Sequence, residues 1–154
     1  MATPRTARIV LQNKTGSYFK LQVLHQYTGQ DTDDSGWHTM APEEEKEMFA
    51  SVNFWTGMFT TGCDNWKIHG TQLIEVGSDN NMAFKFLGKF MVDGLPYNSY
   101  HGFGASWKKH TLRTEDDGKD TIIKVFKTEI QFISPSGTST TRFDTVADSA
   151  GRIM

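Results

Sequence analysis

TIIKVFKTEIQFISPSGTSTTRF, residues 121–143, holds two runs of β-branched and aromatic residues, TIIKVF and EIQFIS, separated only by Lys127 and Thr128. Short apolar runs bounded by turn residues read as strands. Pro135, Ser136 and Gly137 supply a turn, and the serine- and threonine-rich segment behind them reads as a further strand or loop. Upstream, SWKKHTLR (106–113) predicts another strand, followed by a turn in TEDDGKD (114–120). Successive strands with glycine and asparagine turns, and no convincing long amphipathic helix, indicate an all-β fold. The expectation is one domain over residues 1–154, an antiparallel β-sandwich or barrel of about eight strands, with 145–154 a frayed tail.

The same period of two marks the N-terminus. In TARIVLQ, Ala7, Ile9 and Leu11 share one face, and in YFKLQVLHQY, Phe19, Leu21 and Val23 do so. The intervening NKTGS is rich in turn residues, which predicts a hairpin of the first two strands. His25 falls on the apolar parity and reads as a satisfied core or strand-end residue. Asn13-Lys14-Thr15 matches a glycosylation acceptor only formally.

TGQDTDDSGW (28–37) imitates the start of a calcium loop through Asp31, Asp33, Ser35 and Gly36. The twelfth position, which should be a bidentate glutamate, is Pro42, so the segment reads as a solvated acidic loop. PEEEKEMF (42–49) could open a short helix, but EMFASVNFW places Met48, Ala50, Val52 and Phe54 on one face and reads better as a strand. TGMFTTGCDNWKIHG (56–70) carries the lone cysteine, with a strand beginning near Asp64 and Trp66 and Ile68 facing the core. In an extended chain, six residues at about 3.3 Å each put His69 about 20 Å from Cys63. A nucleophile and its base meet at about 3 Å, so Cys63 reads as structural.

Between GSDNN (77–81) and Gly104 the pattern loosens. MAFKFLGKFMV (82–92) is apolar and of uncertain type, and DGLPYNSYHGFG (93–104) is an irregular loop. Tyr97, Tyr100 and Phe103 sit in that loop among glycine, proline and asparagine. Amphipathic rings on a loop suit contact with a partner or ligand; the competing reading folds them down as a lid on the core. GFG lacks the third glycine of a nucleotide fingerprint.

Sixteen basic against 18 acidic side chains give a net charge of -2, with no basic run to meet nucleic acid. The start alternates polar and apolar residues rather than forming a signal sequence, and no segment has the roughly 20 apolar residues of a membrane span. A cytoplasmic location is therefore expected, in keeping with a single unpaired cysteine. No cofactor or metal is implied.

VLQNKTG, TGMFTTGCDNWKI, KKHTLRTEDDGKDTIIKVF and, most specifically, FISPSGTSTT together resemble the PUD family, small nematode proteins whose abundance rises in long-lived insulin-receptor mutants, with fungal relatives. The resemblance covers both ends of the chain and is weak over 77–104 and around 31–47. It implies an aegerolysin-like β-sandwich, with members that pair through their sheets, and it supplies no enzyme. Some fungal relatives carry a longer, helical insertion where this chain has the segment ending in the aromatic loop. Two functions compete. The first is a non-enzymatic interaction protein, a homodimer or a heterodimer with a paralogous chain, with membrane lipid as a further partner through Tyr97, Tyr100 and Phe103. Pairing outranks lipid, since only Lys108 and Lys109 add positive charge near the loop. The second is a small hydrolase or ligand-modifying enzyme whose scattered histidines and carboxylates, such as His101, His110 and Asp64, converge in three dimensions.

Overall fold

The structure, a computed structural model, describes residues 2–57, 60, 62–76, 83–91 and 107–143. Two sheets face each other. The first runs β11 (Gly137–Arg142), β10 (Glu129–Ser134), β9 (Asp120–Val125), β1 (Thr3–Asn13), β5 (Glu45–Thr56). The second runs β3 (Asp33–Asp34), β2 (Phe19–Tyr27), β6 (Asp64–Val76), β7 (Ala83–Met91), with β4 (His38–Met40) on β2 and β8 (Lys108–Lys109) on β6. Leaving out the fragments β3, β4 and β8, which have two or three residues each, eight strands build this sandwich among the described residues. All pairings are antiparallel except β1 with β9, which run parallel from Arg8↔Asp120 to Asn13↔Val125. Within MAFKFLGKFMV, Ala83–Met91 form strand β7.

The inward parity of each strand makes the core. Ile9 and Leu11 of β1, Leu21 and Val23 of β2, Phe54 of β5, Trp66 and Ile68 of β6, and Ile130 and Phe132 of β10 are wholly buried between the sheets. Trp66 meets Phe132 of the opposite sheet at a centroid distance of 5.9 Å.

The predicted hairpin of the first two strands does not form: β1 and β2 lie in different sheets. Asn13 explains the crossing. Its buried Nδ2 donates to the carbonyls of Ser17, Met40 and Ala41, and its Oδ1 accepts from the amide and hydroxyl of Thr15. Gly16, at φ 85°, completes the turn. These bonds lead the chain across the gap between the sheets, and they leave the formal glycosylation acceptor buried.

Two further expectations are corrected. Ala50 is exposed, because register shifts between Ala7 and Ile9 and between Ile9 and Val10 break the alternation of β5. Among the described residues of SWKKHTLR, only Lys108–Lys109 form a strand. Beyond it, the Leu112 amide donates to the side chain of Asp64 rather than to a ladder carbonyl, and backbone bonded this way leaves strand pairing.

Candidate functional site

Two of the buried polar clusters contain a histidine. His25, at an inward position of β2, is 0% exposed and lies between two carboxylates. Its Nδ1 is 2.8 Å from Asp33 Oδ2 and its Nε2 is 2.6 Å from Asp64 Oδ1. The acidic loop thus turns Asp33 inward onto a histidine. Asp64 is also 0% exposed, and its second oxygen accepts the Leu112 amide at 2.9 Å. The Trp66 ring covers the imidazole at 4.4 Å between centroids.

The second lies at the SPSG turn. His110 bridges Ser139 Oγ (2.6 Å, Nδ1) and Ser134 Oγ (2.8 Å, Nε2), and Ser134 meets the Thr121 hydroxyl at 2.7 Å. Burial pushes the His110 imidazole down to about 4, with Asp116 opposing and Lys108 adding to the shift. Buried Asp116 accepts the Ser136 amide and hydroxyl and the Arg113 amide, all between 2.6 and 2.8 Å. The stretch that carries the family resemblance is therefore an internally bonded hairpin turn.

These aspartates also hold the wall of an open cleft of about 340 Å³. One side is the end of β5 with Trp55 and Thr60; the other is the segment Thr111 to Glu115, fixed at Leu112 by Asp64 and at Arg113 by Asp116. Trp55 rests on Tyr27 at 5.1 Å, and the Tyr27 hydroxyl donates to the Trp55 carbonyl at 3.3 Å. Burial raises the Tyr27 pKa, with Asp64 and Cys63 adding to it, so the hydroxyl stays a neutral donor. A Cβ at Gly62 would collide with the Tyr27 ring and hydroxyl, so only glycine lets the chain pass there.

The described part of the proposed catalytic set does not converge. The backbone amide of His110 bonds the Asp64 carbonyl, but the side chain of Asp64 faces His25 and that of His110 faces two serines. Cys63, half-buried, lies 3.6 Å from the Thr28 hydroxyl and 3.8 Å from Asn65 Oδ1, while His69 bonds Gln22. His101 and the contact candidates Tyr97, Tyr100 and Phe103 fall outside the described residues. Sequence reading missed the cleft entirely, since Trp55, Thr60, Arg113 and Glu115 share no spacing motif. The one available signal was a histidine on an apolar parity, which calls for a buried polar partner.

No helix among the described residues is long and apolar enough to cross a membrane. No curated protein matches the chain. The model of the PUD family, described as "Up-Regulated in long-lived daf-2", matches residues 3–143, from the first strand to the end of the last described one. With the match spanning both sheets, the chain belongs to the PUD family.

Proposed function

We propose that the chain is a non-enzymatic, cytoplasmic interaction protein of aegerolysin-like architecture that pairs with itself or with a sister chain. The observation that carries this reading is the engagement of its acid–base residues inside the sandwich. His25 is held by two aspartates, and His110, with a pKa near 4, is too weak a base for proton abstraction near neutral pH. The described lining of the cleft adds only Arg113 and Glu115 as ionisable groups.

Pairing has two candidate surfaces. One is the set Tyr97, Tyr100 and Phe103, residues of the kind that anchor interfaces. The other is a sheet edge, since no described strand pairs with the outer side of β5 or β11. A lipid surface is the weaker partner, for want of basic residues beside the rings.

Sedimentation velocity over a concentration series, repeated with a sister chain and with phosphatidylcholine vesicles, tests the reading. A dimer is expected, alone or in the mixture. Replacing Tyr97, Tyr100 and Phe103 together by serine is expected to weaken association at an unchanged Tm. Wild-type association in a folded triple variant moves the interface to a sheet edge. A chain that stays monomeric, ignores its sister and leaves vesicles unbound overturns the reading.

A further inference from the structure

We propose that Asp117-Gly118 is a covalent modification site, where the backbone isomerises to isoaspartate when the start of β1 opens and Thr6 releases both reacting groups. The residue pair carries the intrinsic chemistry. Glycine has no side chain to shield its amide nitrogen, which can attack the carboxyl carbon of the preceding aspartate and close a five-membered ring. A Cβ built at Gly118 meets nothing within 4 Å, Gly118 is exposed and Asp117 is half-buried. Neither crowding nor exclusion of water therefore blocks the pair.

What holds the reaction off is a clamp from β1. Asp117 Oδ1 accepts the Thr6 amide at 3.1 Å, and the Gly118 amide donates to the Thr6 carbonyl at 2.8 Å. One residue thus occupies the electrophile and the nucleophile of the same ring closure. Arg5 adds a bond from Nη1 to Asp117 Oδ2 at 3.1 Å, and its Nε donates to the Thr56 hydroxyl. The Thr6 amide first, and the Arg5 guanidinium next, hold the Asp117 carboxyl below the usual carboxylate range. Ring closure needs the neutral acid, because an ionised carboxylate has no good leaving group. At ψ 126° the Gly118 nitrogen also lies on the Hα side of Asp117 rather than over Cβ, where the ring closes.

The clamp sits at the beginning of a strand. The parallel β1–β9 ladder starts only at Arg8↔Asp120, and strand ends open locally at a lower free energy than global unfolding. In the open form the Gly118 nitrogen attacks Cγ of the neutral Asp117 acid, the C–N bond forms and one water leaves with the carboxyl oxygen. Water then adds to the main-chain carbonyl of the ring and breaks its bond to nitrogen. The chain now runs through Cγ, and the former main-chain carbonyl is a free carboxylate, the group that isoaspartyl carboxyl methyltransferases esterify. Addition at Cγ instead restores aspartate, and no other reactant is consumed. The extra backbone methylene puts carboxylate and amide out of step with Thr6, so the clamp does not reclose. The reaction needs no partner chain: its failure leaves the association reading standing, and the reverse also holds.

The test incubates the intact chain in heavy-oxygen water at neutral pH, folded or unfolded in guanidinium chloride. Isoaspartate is quantified by peptide mapping and with an isoaspartyl methyltransferase, and the other Asp-Gly pair, Asp93-Gly94, is followed in the same map. In the folded parent, isoaspartate carrying solvent oxygen is expected at Asp117. Its formation is expected to be slower than in the unfolded chain by on the order of tenfold or more, the scale of the bonds that opening breaks. Arg5→Gln is expected to speed formation at Asp117 several-fold at a Tm close to that of the parent, and to leave Asp93 at the parent rate. Gly118→Asn, a residue that tolerates the positive φ of 71°, is expected to slow it in folded and unfolded chains alike, by shielding the nitrogen. No isoaspartate at Asp117 in the folded parent, formation as fast folded as unfolded, or a rate that either substitution leaves unchanged overturns the proposal.

Discussion

The imidazole of His25 lies 2.6 Å from the carboxylate of Asp64 with both side chains 0% exposed, and the far oxygen of that carboxylate holds the Leu112 amide. Each partner is buried on account of the other. His25→Phe keeps the ring but strands Asp64, and breaking a buried pair on one side costs about 3–5 kcal/mol. Urea unfolding is expected to show that loss, with Asp64→Leu similarly destabilised. The double variant should recover part of it, as a coupled pair requires. Losses that simply add would show the two groups to be independent.

His110 makes stability depend on pH. Burial lowers its pKa from 6.5 to about 4, so between those values the unfolded chain binds the proton and the folded chain does not. Stability therefore rises with pH through this window, is fully present above about 6.5 and is lost as pH falls toward 4. The shift corresponds to about 3 kcal/mol. Chemical unfolding at a series of pH values is expected to give a slope that His110→Gln flattens. A variant with the wild-type slope would assign the dependence to other groups.

Asp116 ties two turns with one carboxylate, accepting from Arg113 on its own turn and from Ser136 on the β10–β11 hairpin. Asp116→Ala leaves the Arg113 and Ser136 amides, both in part-buried bonds, unpaired, at up to about 1–3 kcal/mol each. A drop in Tm is expected together with faster amide exchange at Ser136. Ser136→Ala removes only the hydroxyl bond and should cost less. Equal losses from the two variants would contradict this division.

Cys63 has the Thr28 hydroxyl and Asn65 as neighbours and no base among the described residues. Cys63→Ser is expected to leave Tm and association within error of the parent. Loss of association in a folded variant would give the thiol a role that its surroundings do not.

Strand parity was legible wherever a strand packs a single face, as in Ala7-Ile9-Leu11, Leu21-Val23-His25 and Trp66-Ile68. Pairing partners were not. A period of two is the same whether a turn folds the chain back beside itself or carries it to the other sheet, and Asn13 decides that through bonds to Met40 and Ala41, far along the sequence. Ala50 was misplaced because two register shifts lift it out of an alternation that Met48, Val52 and Phe54 keep, without changing the residue pattern. The cleft was illegible for a related reason: Trp55 and Arg113 become neighbours only after Asp64 and Asp116 fix the loop between β8 and β9.

Trp66 joins the two polar clusters. Its ring lies on His25 and against Phe132, and its Nε1 donates to the His110 carbonyl at 3.0 Å. Trp66→Ala removes a wholly buried indole from the centre of the sandwich, for which about 3–5 kcal/mol is the usual cost. That is a large share of the roughly 5–15 kcal/mol that holds a domain together, so the variant is expected to melt far below the parent or fail to fold. Trp66→Phe separates packing from the hydrogen bond. It keeps an aromatic surface over His25 but leaves the His110 carbonyl without its indole donor, at about 1–3 kcal/mol. In the phenylalanine variant the amides near His110 are expected to lose protection from hydrogen exchange, while those on the far edge of the first sheet keep theirs. A uniform loss across both sheets would mean that the indole acts through volume alone and that the bond to His110 contributes nothing separable.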